Sequence, residues 1–136
     1  MNGAMNNAVS YDELLRIIPH RAPMLLVDRI EELVRGARAT GYKQVSEELS
    51  NTLVIDALGQ VAIAILSDET SEEAGVWYLA SVEDIECGAP VRPGQTLRLE
   101  ATILRSFKTT VRIALRASVP YGHDVVKGTM VLSNAK

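Results

Sequence analysis

Apolar positions recur with two different periods along the chain. In the second half they alternate: Leu97, Leu99, Ala101 and Ile103 point one way, while Arg98, Glu100 and Thr102 point the other. Val111, Ile113, Leu115 and Ala117 repeat the scheme against Arg112, Arg116 and Ser118, and Val126, Gly128, Met130 and Leu132 make a third such face. Breaks fall at Pro93-Gly94, which suits the two centre positions of a type II turn, around Ser106 to Thr109, and at Pro120 to Asp124. This pattern predicts antiparallel strands joined by short loops, with one face on a core and the other solvated.

The first half is mixed. Ser10 and Glu13 stand at capping-box spacing, and Leu14, Leu15 and Ile18 give a short helix one apolar face that Pro19 ends. Met24 to Val34 reads as a strand, Arg35-Gly36 as a turn and Ala37 to Val45 as the partner strand, together a hairpin. After Ser50, Asn51 and Thr52, any of which can cap a helix, comes LVIDALGQVAIAIL, apolar on nearly every face and therefore expected to be buried all round. Asp68 to Gly75 follows as an exposed acidic loop. One buried helix with a mostly antiparallel, one-sided sheet is an α+β arrangement in which the sheet curls around the helix.

At 136 residues and 47% apolar content the chain can bury a core without disulfides or metals, and residues 1–9 read as a flexible terminus ahead of a single domain over 10–136. A net charge of -3 gives no electrostatic footprint for nucleic acid. One cysteine and two histidines offer neither a disulfide nor a zinc set, and no cofactor is called for. The longest apolar run, around Val61 to Leu66, is too short to span a bilayer, and Met1 to Val9 lacks signal-peptide features, so a cytoplasmic protein is the expectation.

Candidate chemistry gathers at two places. Asp56 and Gln60 lie one turn apart on a stripe of the apolar helix. A carboxylate buried there without partners costs several kcal/mol or becomes neutral, so Asp56 is either a paired structural residue or a reactive one. Gln60 is expected to orient Asp56 or bond backbone. The joint IIPHRAPMLLVDRI sets His20 and Arg21 between prolines; His20 either fixes the turn through a backbone carbonyl or transfers protons, and Arg21 braces the loop or a carboxylate such as Asp28. His123 is expected in solvent, Cys87 as a small inert side chain, and Trp77 and Tyr78 at a strand start in core or interface packing.

Three blocks, PHRAPMLLVDRI, LVIDALGQ and WYLASVEDIECGAPVRPGQTLRLEATI, resemble in order those of the bacterial beta-hydroxyacyl-acyl carrier protein dehydratases of the hotdog fold, over nearly the whole chain from Tyr11 to Ala135. The resemblance implies a long central helix wrapped by a bent antiparallel sheet, a homodimer or higher oligomer with acyl tunnels at the subunit interface, and an acyl carrier protein or coenzyme A thioester as partner. It also implies removal of water by a histidine base and a helix carboxylate from the other subunit, with the thioester oxygen at the helix N-terminus. Asp56 stands at the carboxylate position, where the family usually has glutamate. KQVSEELSNT, which corresponds to the family's Gly-His-Phe-Pro-Gly loop, contains no histidine. His20 is then the candidate to replace that base, with Gly59, Gln60 and Arg21 expected to bind or orient substrate. Dehydration of a beta-hydroxyacyl thioester is the leading expectation; a hotdog thioesterase and a catalytically silent acyl-binding or partner subunit are the alternatives.

Overall fold

The computed structural model describes residues 8–9, 11–17, 25–66 and 77–134. Ser50 starts the central helix: its Oγ accepts from the Leu53 N–H at 3.2 Å, which meets one orphan donor of the first turn, and its carbonyl accepts the first intrahelical bond from the Val54 N–H at 3.1 Å. This helix, α2, spans Asn51–Leu66 and is preceded by the short α1, Tyr11–Ile17. At the other end of α2, the Ile65 carbonyl accepts from the Gly36 N–H at 3.1 Å. Both ends are thereby tied to the chain around them.

Six described strands form one antiparallel sheet: β1 (Arg29–Val34), β2 (Arg38–Gln44), β3 (Trp77–Cys87), β4 (Thr96–Phe107), β5 (Thr110–Ser118) and β6 (Asp124–Asn134), in the order β1-β2-β4-β5-β6-β3. The alternation predicted from the sequence holds. Leu97, Leu99 and Ala101 of β4, Val111, Ile113, Leu115 and Ala117 of β5, and Val126, Met130 and Leu132 of β6 are buried in one core with Val54, Ala57, Leu58, Val61, Ala62, Ala64 and Ile65 of α2. The helix touches all six strands, so the sheet curls around it, as in the hotdog fold. Gly41 allows β2 to approach: a Cβ there would stand 3.1 Å from Val61 Cγ2 and 3.3 Å from Val27 Cγ1.

The turn at Pro93-Gly94 is as predicted, with Gly94 at φ +93° and the Gln95 N–H donating to the Arg92 carbonyl at 3.1 Å. Several expectations change. The first ladder begins at Arg29, not Met24, because Leu25, Leu26 and Val27 are consecutively buried and lie outside the named strands. Ser118, expected on the solvated face, is 8% exposed, since the register shifts between Ala117 and Ser118. Val9, last of the segment read as flexible, is buried and bridged to Ile30, its N–H donating to the Ile30 carbonyl at 2.8 Å. The predicted loop Asp68 to Gly75, Ser10, Ile18 and Pro19 lie outside the described residues.

The outer face of the sheet carries the ion pairs. Arg112 pairs with Glu83, and Arg116 Nε donates to Asp124 Oδ1 at 2.8 Å, a hydrogen bond that holds the Arg116 guanidinium above its ordinary pKa. Pairs this exposed add little stability.

Candidate functional site

The sequence leads one to expect α2 buried on every side, yet one stripe of it is not. Ile55, Asp56, Gly59 and Ile63 are half-buried and Leu53 is exposed, because no described element covers them. They form one wall of an open groove of about 420 Å³. The other wall comes from Trp77, Tyr78 and Leu79 at the start of β3 and from Met130 and Leu132 of β6, and Thr52 stands at the N-terminal end of α2. The groove is mostly apolar. Tyr78 and Leu79 are each 51% exposed, on a strand that lies at the edge of the sheet.

Asp56 is the acidic side chain of this lining. It makes no hydrogen bond or ion pair among the described residues, so the structural alternative, a carboxylate satisfied by a backbone N–H or a sheet arginine, finds no partner there. Its carboxylate is open to the groove. Gln60, one turn on, is 1% exposed, and its Oε1 accepts from the Leu26 N–H at 2.8 Å. That bond supplies the backbone of the buried Leu25 to Val27 segment with a partner that a strand neighbour would otherwise provide. The side chain thus acts on backbone, the second of the two roles expected for it. Gly59 lines the groove opposite Met130, whose Cε would be 3.5 Å from a Cβ built at Gly59.

His20 and Arg21 lie outside the described residues. Asp28, the carboxylate suggested for Arg21, has partners among the described residues: its Oδ2 accepts from the Gln44 N–H at 2.6 Å, and Lys43 Nζ stands 3.7 Å from its Oδ1. His123 is not free in solvent; it is half-buried, and its Nε2 donates to the Ala89 carbonyl at 3.0 Å, which ties the β5–β6 turn to the chain after β3. Cys87 is exposed at the end of β3. Trp77 packs against the core, whereas Tyr78 stays exposed. Among the described residues no group of histidine, cysteine and carboxylate side chains could hold a metal ion, and no helix is long and apolar enough to cross a membrane.

The helix N-terminus lies at the groove's polar end. Ser50 Oγ takes the Leu53 N–H, and the helix dipole favours developing negative charge at that end. A carboxylate, an apolar trough and a helix N-terminus in one groove are the parts needed to hold an acyl thioester and to move a proton at its polar end. Sequence reasoning missed Met130 as a groove residue, because period-two alternation marks it only as core.

Comparison with known proteins agrees with this geometry. The chain is 32% identical, over 92% of its length and 97% of the relative's, to the 3-hydroxyacyl-acyl-carrier-protein dehydratase FabZ of Herpetosiphon aurantiacus. It is 36% identical to the protein of that name from Geobacillus thermodenitrificans, covering 69% of this chain and 74% of the relative, and 34% identical to the one from Bacillus subtilis, covering 74% and 80%. No family model matches the chain. Among solved structures, the dehydratase heterocomplex ApeI:P from Xenorhabdus doucetiae superposes with a TM-score of 0.76 at 16% identity, covering 90% of this chain and 91% of the other. A hypothetical thioesterase with coenzyme A from Streptococcus pneumoniae superposes with a TM-score of 0.64 at 12% identity, covering 78% and 84%. These structures share the fold.

Proposed function

The chain belongs to the 3-hydroxyacyl-acyl-carrier-protein dehydratase family, and from that premise we propose that it removes water from a 3-hydroxyacyl thioester, carried on acyl carrier protein in fatty-acid synthesis, with Asp56 as the group that helps the hydroxyl leave. The observation that carries this reading is the Asp56 carboxylate itself, half-buried in an apolar groove and bound to no described side chain or backbone group. A carboxyl group that faces the groove is placed to hand a proton to a hydroxyl leaving there.

In the proposed reaction a base takes the proton from the alpha carbon, and that electron pair forms the double bond to the beta carbon. The beta C–O bond breaks, and the hydroxyl leaves with a proton from Asp56 as water. Backbone N–H groups at the start of α2 receive the thioester oxygen as its charge rises. Segment 43–52, where the family keeps its histidine, offers none, and His123 is engaged at the β5–β6 turn. His20, which follows α1 in the sequence, is the proposed base, acting on the Asp56 groove of its own or a neighbouring subunit. Gly59 and Gln60 shape the groove, and Arg21, next to His20 in the sequence, is proposed to help orient the substrate. The working unit is a cytoplasmic homodimer or higher homo-oligomer.

The missing histidine also supports a second reading, a hotdog thioesterase that works with one helix carboxylate and an oxyanion-binding helix end, or a silent acyl-binding subunit paired with an active relative. Incubating the purified protein with 3-hydroxyacyl, enoyl and saturated acyl thioesters separates these. Interconversion of the first two supports the dehydratase, thiol release supports the thioesterase, and binding without turnover supports the silent subunit.

A further inference from the structure

We propose that Met130 sets the length of acyl chain the groove accepts, by laying its thioether tip over the bare helix backbone at Gly59. This rests on the acyl-binding reading of the same groove. Glycine weakens a helix interior relative to alanine, so its place in the middle of α2 needs a reason outside the helix. The space over it is limited by Met130. A Cβ at Gly59 would stand 3.5 Å from Met130 Cε and 3.7 Å from its Sδ, which is ordinary contact, so the thioether tip lies directly over this point of the helix and a side chain longer than a methyl would meet it.

Position along the groove makes this contact consequential. Asp56, Gly59 and Ile63 follow one another on a single stripe of α2. On the facing strand, Leu132 lies two residues beyond Met130 on the same buried face. Met130 therefore stands between the carboxylate and the apolar far end lined by Ile63, Leu132 and Trp77. From Asp56 to Ile63 is about 10 Å along the helix axis, the span of a medium-length linear acyl chain. A short chain ends before the thioether; a longer one must displace it. Methionine is unbranched and soft enough to swing aside, whereas a β- or γ-branched side chain there would be a fixed stop. Met130 is thus a specificity residue that touches the chain of the substrate and leaves the reacting atoms to Asp56.

The test is kcat/KM for 3-hydroxyacyl thioesters of increasing chain length, with Met130→Ala, Met130→Leu and Gly59→Ala set beside the wild type. Met130→Ala is expected to raise the ratio of longest to shortest substrate by about tenfold, the discrimination that a methylene gives in an apolar pocket. Gly59→Ala sets a methyl against the thioether, which can then no longer swing toward the helix to let a long chain pass, and lowers the ratio, and Met130→Leu lowers it as well. Gly59→Ala raises helix propensity and Met130→Leu conserves core volume, so these two carry the test if Met130→Ala fails to fold. An unchanged length profile in the folded variants overturns the inference and leaves the dehydratase reading standing. If the wild type turns over no member of the series, that reading fails, and calorimetric affinities for saturated acyl thioesters decide instead. The same shifts in length preference support Met130 as the determinant, and identical profiles overturn it.

Discussion

Two side chains one helical turn apart divide the work of the groove. Asp56 and Gln60 look alike in the sequence, each a polar interruption of an apolar helix. In the structure Gln60 turns to the core and binds the Leu26 N–H at 2.8 Å, while Asp56 faces the open groove. Gln60→Leu, which keeps the volume and leaves that buried N–H unpaired, should lower stability by about 1–3 kcal/mol, read as a fall in the midpoint of denaturant unfolding. An unchanged midpoint would show that the bond contributes nothing. Asp56 stood out in the sequence because a carboxylate on such a helix is either paired or reactive, and the sequence left that choice open because the groove it faces is built by strands far away in the chain. The partner of Gln60 was not, because Leu26 lies far away in sequence and only the folded chain brings it near. Met130 was invisible for the same reason, since what distinguishes it is the glycine it faces on another element.

At the level of elements, one-sided alternation made β4, β5 and β6 readable, and the uniform apolarity of LVIDALGQVAIAIL made α2 readable. Leu25 to Val27 were read as strand because three buried residues in a row look the same whether a neighbouring strand or a glutamine side chain meets the backbone. The crossing of β3 to the far edge beside β6 depends on long-range packing that no local pattern encodes. Gly88 marks where β3 ends against β6: its N–H donates to the Val125 carbonyl at 2.8 Å, and a Cβ would run into the Asp124 carbonyl oxygen. Gly88→Ala should therefore destabilise the fold by about 1–3 kcal/mol, the usual cost of overpacking. Thermal unfolding checks this, and a melting temperature equal to wild type would mean that the two strands separate freely.

For the whole molecule, the half-covered stripe of α2 and the edge of β3 lie on one side, with Tyr78 and Leu79 exposed beside the groove. A lone chain would leave an apolar trough and an unpaired strand edge in water, and pairing with a second copy relieves both. Light scattering at micromolar concentration should give the mass of a dimer or larger species; a monomer mass would contradict the assembly. The hotdog fold was legible from the three family-like blocks, while the base of the reaction was not, because segment 43–52 contains no histidine. What decides the account most directly is the rate at which the wild type and Asp56→Asn convert a 3-hydroxyacyl thioester to the enoyl thioester, compared at matched melting temperature. The account predicts measurable conversion by the wild type and loss of most of it in the variant, because the amide keeps the shape of the carboxyl but gives up no proton to the leaving hydroxyl. Retained conversion in a variant that has instead lost thermal stability would make Asp56 a structural residue and contradict the account.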